Sequence, residues 1–196
     1  DMSRGAEEKL KQMGIKFILG EKIKKVSEDK KISCVEVGNE KIQADIVVLC
    51  AGTVPNTKLA EDAGIKIGIT GGIKVNEKAE TSVENIYACG DCAETISFIT
   101  KKPIISRLAS VAYKQGEIAG INASGGKAEY KGALGTFVTV LGDLEIASVG
   151  FNSENAVSQG YKIITAKTKS KTKPEYMPES DEIVMKIIAD EKTGKV

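Results

Sequence analysis

Histidine and tryptophan are both missing from the 196 residues, and aromatic side chains make up only 5%. Without histidine, the commonest general base and the commonest zinc ligand are removed from any chemistry placed inside this chain. Long hydrophobic runs are missing too: none approaches the roughly 18 to 20 apolar residues that span a bilayer. The N-terminus lacks the charged-then-apolar layout of a signal peptide, so a cytoplasmic location without membrane contact is expected. Net charge is also scarce, with 28 Lys plus Arg against 27 Asp plus Glu. No field therefore draws the chain to nucleic acid or an anionic membrane, and neither is expected as a partner. No GxGxxG occurs either; Gly68, Gly71 and Gly72 have neither its spacing nor its following helix.

What is present is the balance of a globular protein with a core, 41% hydrophobic and 28% charged. The four cysteines are Cys34, Cys50, Cys89 and Cys92. Three sit in or beside strand-like apolar runs, which suits reduced, buried thiols better than a disulfide framework. Both ends read as cut, with a helix under way at Asp1 and the turn-like Asp190-Glu-Lys-Thr-Gly-Lys just before the last residue.

Hydrophobic spacing predicts a helix over 3–13, capped by Ser3 and ended by Gly14, then a strand over 15–19. Short β runs follow at 22–27, 32–37 and 41–43, separated by Glu28-Asp29-Lys30 and by the tight turn Gly38-Asn39, an antiparallel meander. The continuous apolar run 46–51 predicts a strand covered on both faces. Beyond it come a short helix at 58–63, a turn at Gly71-Gly72, strands at 73–75 and 86–89, and a long helix at 109–123 that stops on Ser124-Gly125-Gly126. The last segment predicts strands at 136–141, 145–149, 161–167 and 182–189, a helix over 152–159, and an exposed, lysine-rich loop over 167–178.

The segment Thr81-Ser-Val-Glu-Asn-Ile-Tyr-Ala-Cys-Gly-Asp91 places Gly90 and Asp91 after the predicted strand 86–89, at the edge where open α/β sheets bind ligands. A glycine there lets backbone approach a ligand, and the aspartate can accept a hydrogen bond from a hydroxyl. By itself, a Gly-Asp after a strand also reads as an ordinary turn. Three further pieces stand in order around it: Val47-Val-Leu-Cys-Ala-Gly-Thr-Val-Pro-Asn-Thr57, Gly72-Ile-Lys-Val-Asn76, and Leu108-Ala-Ser-Val-Ala-Tyr-Lys-Gln-Gly116.

Together these four motifs resemble the pyridine nucleotide-disulfide oxidoreductases, and the resemblance covers essentially the whole chain. The tokens Gly90-Asp-Cys-Ala-Glu94, Lys114-Gln-Gly116 and Pro174-Glu-Tyr-Met-Pro178 are most similar to the coenzyme A-disulfide reductase and NADH oxidase branch. The resemblance implies an α/β fold in parts: the end of an NAD(P)-binding domain at 1–50, half of an FAD-binding domain at 51–127, and the start of an α+β dimerisation domain at 128–196. It implies FAD and NAD(P)H as cofactors, a small-molecule redox substrate and a homodimer. By the same resemblance, Gly52 and Pro55 lie on the crossing between the first two domains, Thr81, Gly90 and Asp91 serve the flavin ribityl chain, and the amides of Ala109, Ser110, Val111 and Ala112 face the flavin ring. A helix N-terminus suits the negative charge of reduced flavin, although a plain surface helix capped by Ser106 or Ser110 fits the residues alone. Tyr113 and Tyr176 are the substrate candidates. Met177 stands where the family pattern has a second tyrosine, a departure from the pattern that accompanies a disulfide substrate.

Cys89-Gly-Asp-Cys92 invites a dithiol or zinc reading, but zinc needs two more ligands, and Cys34 and Cys50 fall on other predicted strands. Structural cysteines are expected. The redox cysteine and both dinucleotide loops of the resembled family are not in these residues, so no catalytic residue is assigned and the chain alone is expected to be inert. Two other readings stay open: a ferredoxin or rubredoxin reductase-type flavoprotein, and a non-catalytic module that only dimerises.

Overall fold

The computed structural model describes residues 2–29 and 32–196, with the side chains of 28, 29 and 32 excepted. Apart from its first three residues, the chain divides into two compact units, Arg4–Val54 and Pro55–Val196.

Helix α1 covers Met2–Gln12. Ser3 therefore lies inside the helix, and the predicted cap does not form. Its C-terminal end closes as expected: Gly14 takes a positive φ of 82° while its amide and that of Ile15 bond back to Lys11 and Leu10. The next elements are the strands β1 (Ile23–Asp29), β2 (Ile32–Val37) and β3 (Glu40–Ala44), an antiparallel meander with a register irregularity between Ile23 and Lys25. Of the predicted separator Glu28-Asp29-Lys30, the first two residues belong to β1 and Lys30 lies outside the described residues. The strands predicted at 15–19 and 46–51 form no ladder. Ile46, Val48 and Leu49 stand 79%, 77% and 74% exposed. A strand buried on both faces needs neighbours from a wider sheet, and among the described residues none pairs with this run.

In the second unit, helix α2 (Lys58–Asp62) is followed by a loop-rich region around a small apolar cluster. Ala60, Ile65 and Ile73 are its buried members, with Ile67, Val75, Val83, Ala88 and Cys92 packed against them. The strands predicted at 73–75 and 86–89 shrink to isolated bridges, Ile73 with Ile67 and Ala93, and Tyr87 with Glu80. A hairpin that the spacing did not suggest follows: β4 (Glu94–Ile96) pairs with β5 (Pro103–Ile105). Helix α3 spans Ala109–Ala123, as predicted. It ends where Gly125 adopts φ 89° and Gly126 donates to the Ile121 carbonyl at 2.9 Å, a conformation only glycine takes at little cost.

The last segment holds two hairpins, β6 (Phe137–Leu141) with β7 (Leu144–Ser148), and β8 (Ile163–Lys171) with β9 (Glu182–Asp190), joined through α4 (Ser153–Ser158). Asn152 caps α4, its side chain accepting the Asn155 amide at 2.7 Å. The four strands form two separate two-stranded sheets. Each bonds one edge to its hairpin partner, and α4 intervenes between the pairs. The predicted loop over 167–178 is shorter than expected, since β8 runs to Lys171 and only 172–181 remains as the connection.

Candidate functional site

The Gly90-Asp91 motif leaves its bridge as a single 3₁₀ turn, Gly90–Cys92, closed by the Ala93 amide on the Gly90 carbonyl at 3.0 Å. Gly90 has φ 78°, in the left-handed region, and its nearest neighbour for an added β-carbon is the Ala112 Cβ at 3.8 Å. The backbone conformation, not crowding, demands glycine here. The turn thus lies against the start of α3.

Two partners hold it there. On one side, Ile73 inserts between the ends of the motif: its amide donates to the Cys92 carbonyl at 2.7 Å and its carbonyl accepts the Glu94 amide at 2.9 Å. On the other side is Gln115 of α3, only 4% exposed. Its Oε1 accepts the Gly90 amide at 3.0 Å and its Nε2 donates to the Glu94 carbonyl at 3.1 Å. Gln115 was not foreseen as a site residue, because a glutamine bonded to backbone leaves no periodic mark in sequence.

Asp91 itself is exposed, and its carboxylate has no side-chain partner among the described residues. At the α3 terminus, Leu108 is extended and offers no side-chain cap. Val111 and Ala112 already donate their amides to the Leu108 carbonyl, at 2.9 and 3.0 Å. Of the four predicted donors only Ala109 and Ser110 keep amides without an acceptor among the described residues; the helix spends the other two on its own first turn. Neither Ser106 nor Ser110 caps it.

Thr81 is occupied in a local turn: its hydroxyl donates to the Val83 carbonyl at 3.1 Å and accepts the Val83 amide at 3.2 Å, while its own amide bonds Ile86. Gly52 (φ 91°) belongs to the first unit and Pro55 opens the second. Tyr113, on α3, is 72% exposed with the Lys114 ammonium 6.0 Å from its ring centre. Tyr176 is 85% exposed in the connection between β8 and β9, so nothing brings it to the Asp91 turn.

Cys89 and Cys92 are both reduced and half-buried, and the Cys92 thiol donates to the Cys89 carbonyl at 3.5 Å. Burial pushes the Cys92 thiol above its ordinary pKa, and the nearby Cys89 and Asp91 add to that, against the lowering effect of its backbone hydrogen bond. A raised thiol pKa is the opposite of what an attacking thiolate needs.

The likeness of the chain to known proteins extends well beyond this turn and the start of α3. An NAD(P)H sulfur oxidoreductase (CoA-dependent) of Pyrococcus furiosus is 41% identical over 97% of this chain and 43% of its own length. An NADH oxidase of Methanocaldococcus jannaschii is 37% identical over the whole chain and again 43% of its own length. Among solved structures, the NAD-dependent persulfide reductase from A. fulgidus superposes with a TM-score of 0.90 at 35% identity, covering 95% of this chain and 35% of that one. The chain thus spans less than half the length of these relatives. The family model for the pyridine nucleotide-disulphide oxidoreductase matches residues 1–116, and the model for the dimerisation domain of the same family matches residues 136–196. With both models matching in the order of the motifs, the chain belongs to the pyridine nucleotide-disulphide oxidoreductase family.

Proposed function

We propose that this chain is part of a flavoprotein oxidoreductase that moves electrons from NAD(P)H through FAD to a disulfide, persulfide, peroxide or oxygen acceptor. The observation that carries the reading is the Asp91 carboxylate, exposed and unpartnered among the described residues, next to left-handed Gly90 and the start of α3. These residues fit an FAD. Asp91 would accept a hydrogen bond from a ribityl hydroxyl, a charge-assisted contact stronger than a neutral one. The free amides of Ala109 and Ser110, with the helix dipole behind them, would favour negative charge at the ring. Val111 and Ala112 would contribute only through that dipole, and Thr81 by shaping the turn that precedes the motif. Bound FAD would supply the two-electron chemistry, while this chain binds and orients it.

The matched relatives include an NAD(P)H sulfur oxidoreductase and an NADH oxidase, which supports a sulfur or an oxygen acceptor. We assign 1–50 to the end of an NAD(P)-binding domain, 51–127 to the FAD-binding domain and 128–196 to a dimerisation domain. The division of the chain at Val54 and the dimerisation match over 136–196 support that assignment. Gly52 and Pro55 would form the crossing, and Tyr113 and Tyr176 would be substrate contacts, the latter reached across a homodimer. The cytoplasm is the proposed location; no described helix is long and apolar enough to cross a membrane.

The test is FAD content in the full-length protein. Asp91→Ala should weaken FAD retention by about tenfold or more, the scale of losing a hydrogen bond to a charged group. Retention equal to wild type would overturn the assignment.

A further inference from the structure

We infer that Gln115 is a positioning residue for the cofactor, a clamp that holds the Asp91 turn in register with the start of α3. This rests on the flavoprotein reading above.

The placement of the two bonds carries the inference. Gln115 does not touch Asp91; it grips the backbone on either side of it, accepting from Gly90 and donating to the Glu94 carbonyl. Both ends of the amide are used, and the side chain is almost fully buried. Asp91 is therefore carried on a short loop whose two ends are pinned to one side chain of α3. The same helix ends in the free amides of Ala109 and Ser110, six and five residues before Gln115. A ligand held by Asp91 and by those amides thus sees two contacts whose separation is set by Gln115.

A second layer stiffens the arrangement. Glu94 is itself buried, and its carboxylate accepts the amide and hydroxyl of Thr70 at 2.9 and 2.8 Å. One end of the loop is thereby fixed by both its carbonyl and its side chain. Gly90, at the other end, has the left-handed conformation that Gln115 Oε1 stabilises through the amide. Loss of Gln115 would remove its bonds from the half-buried Gly90 amide and the Glu94 carbonyl, a cost that a shift of the loop would relieve.

The experiment compares three variants of the full-length protein. Gln115→Met keeps volume and loses both bonds; Gln115→Glu keeps the acceptor for Gly90 and loses the donor. Asn122→Leu serves as the control: Asn122 is equally part of α3, buried, and bonds Lys78 and Ala128, but it lies about 10 Å along the helix, at 1.5 Å per residue. FAD dissociation, the flavin midpoint potential and the thermal midpoint are measured for each. Gln115→Met should weaken FAD binding by about tenfold and lower the flavin potential, Gln115→Glu should recover part of both, and Asn122→Leu should lower the thermal midpoint with the potential unchanged. If Gln115→Met keeps the wild-type affinity and potential, or if Asn122→Leu shifts the potential as much, the clamp is overturned while the flavoprotein reading stands. If the wild-type protein binds no FAD, both fall together.

Discussion

Gly68 and Glu94 approach so closely that a β-carbon built on Gly68 would lie 2.0 Å from the Glu94 carboxyl carbon. The carboxylate is held in that position by the two bonds from Thr70, so it cannot swing aside without surrendering both. Gly68→Ala should therefore overpack the loop at a cost of about 1–3 kcal/mol, read as a lower thermal midpoint of the full-length protein. An unchanged midpoint would mean that the Thr70 bonds are worth little.

The 196-residue chain alone should not retain FAD. It has no glycine-rich loop for the diphosphate, and half a pocket leaves the ordering cost of binding unmatched by contacts. After gel filtration the chain should be colourless. A yellow protein with one FAD per chain would refute this.

Cys92 should be a poor nucleophile. Its thiol pKa is raised, chiefly by burial, so the thiolate fraction at neutral pH falls below that of an ordinary cysteine and grows only as the solution becomes more alkaline. Labelling by iodoacetamide at neutral pH should leave Cys92 unmodified long after a free thiol has reacted, and Cys89→Ala or Cys92→Ala should cost far less FAD than Asp91→Ala. Loss of FAD to the same degree in all three variants would mean that the two thiols, too, serve the cofactor.

The chain should self-associate through residues beyond Lys127. One face of the β8–β9 hairpin presents Ile164, Ile183, Met185 and Ile187, all exposed, and in the separate β6–β7 hairpin Val138 and Val140 are exposed as well. Unpaired strand edges lie beside these apolar side chains. Sedimentation over a range of concentrations should show association for the 196-residue chain, and none by this surface for a version ending at Lys127. A strictly monomeric 196-residue chain at high concentration would count against it.

Local signals were legible in the sequence, and distant ones were not. Sequence and structure agree on helix α3 because its pattern is continuous and Gly125 stops it, and they agree on β2 ahead of the turn at Gly38. The runs 15–19 and 46–51 carry strand composition, yet a ladder also needs a partner, which composition does not supply. The β4–β5 hairpin carries no local sequence signal because its turn uses Lys101 at φ 58°, not a glycine or asparagine. At the site, Gly90 and Asp91 were found through their motif. Their buried supports, Gln115 and Glu94, act on backbone groups 25 and 24 residues away, and such pairings have no period to detect.

The stretch that follows α3 bears on how force passes through the second unit. Asn122 brackets Ala128 by its amide and carbonyl, Tyr130 donates to the Glu77 carbonyl at 2.7 Å, and Lys131 pairs with Glu77 and Glu129. Next, Gly132 passes so near Ile96 that a β-carbon would lie 2.4 Å from its carbonyl oxygen, and Ala133 bonds both Ile96 and Phe98. Even Leu134 is tied, through its carbonyl, to the Gly150 amide at 3.0 Å. A segment fastened at so many points is a strut with no slack. Tension or torsion applied to the hairpins beyond it would be delivered to β4 and the far end of α3 instead of being dissipated in a swivelling tether.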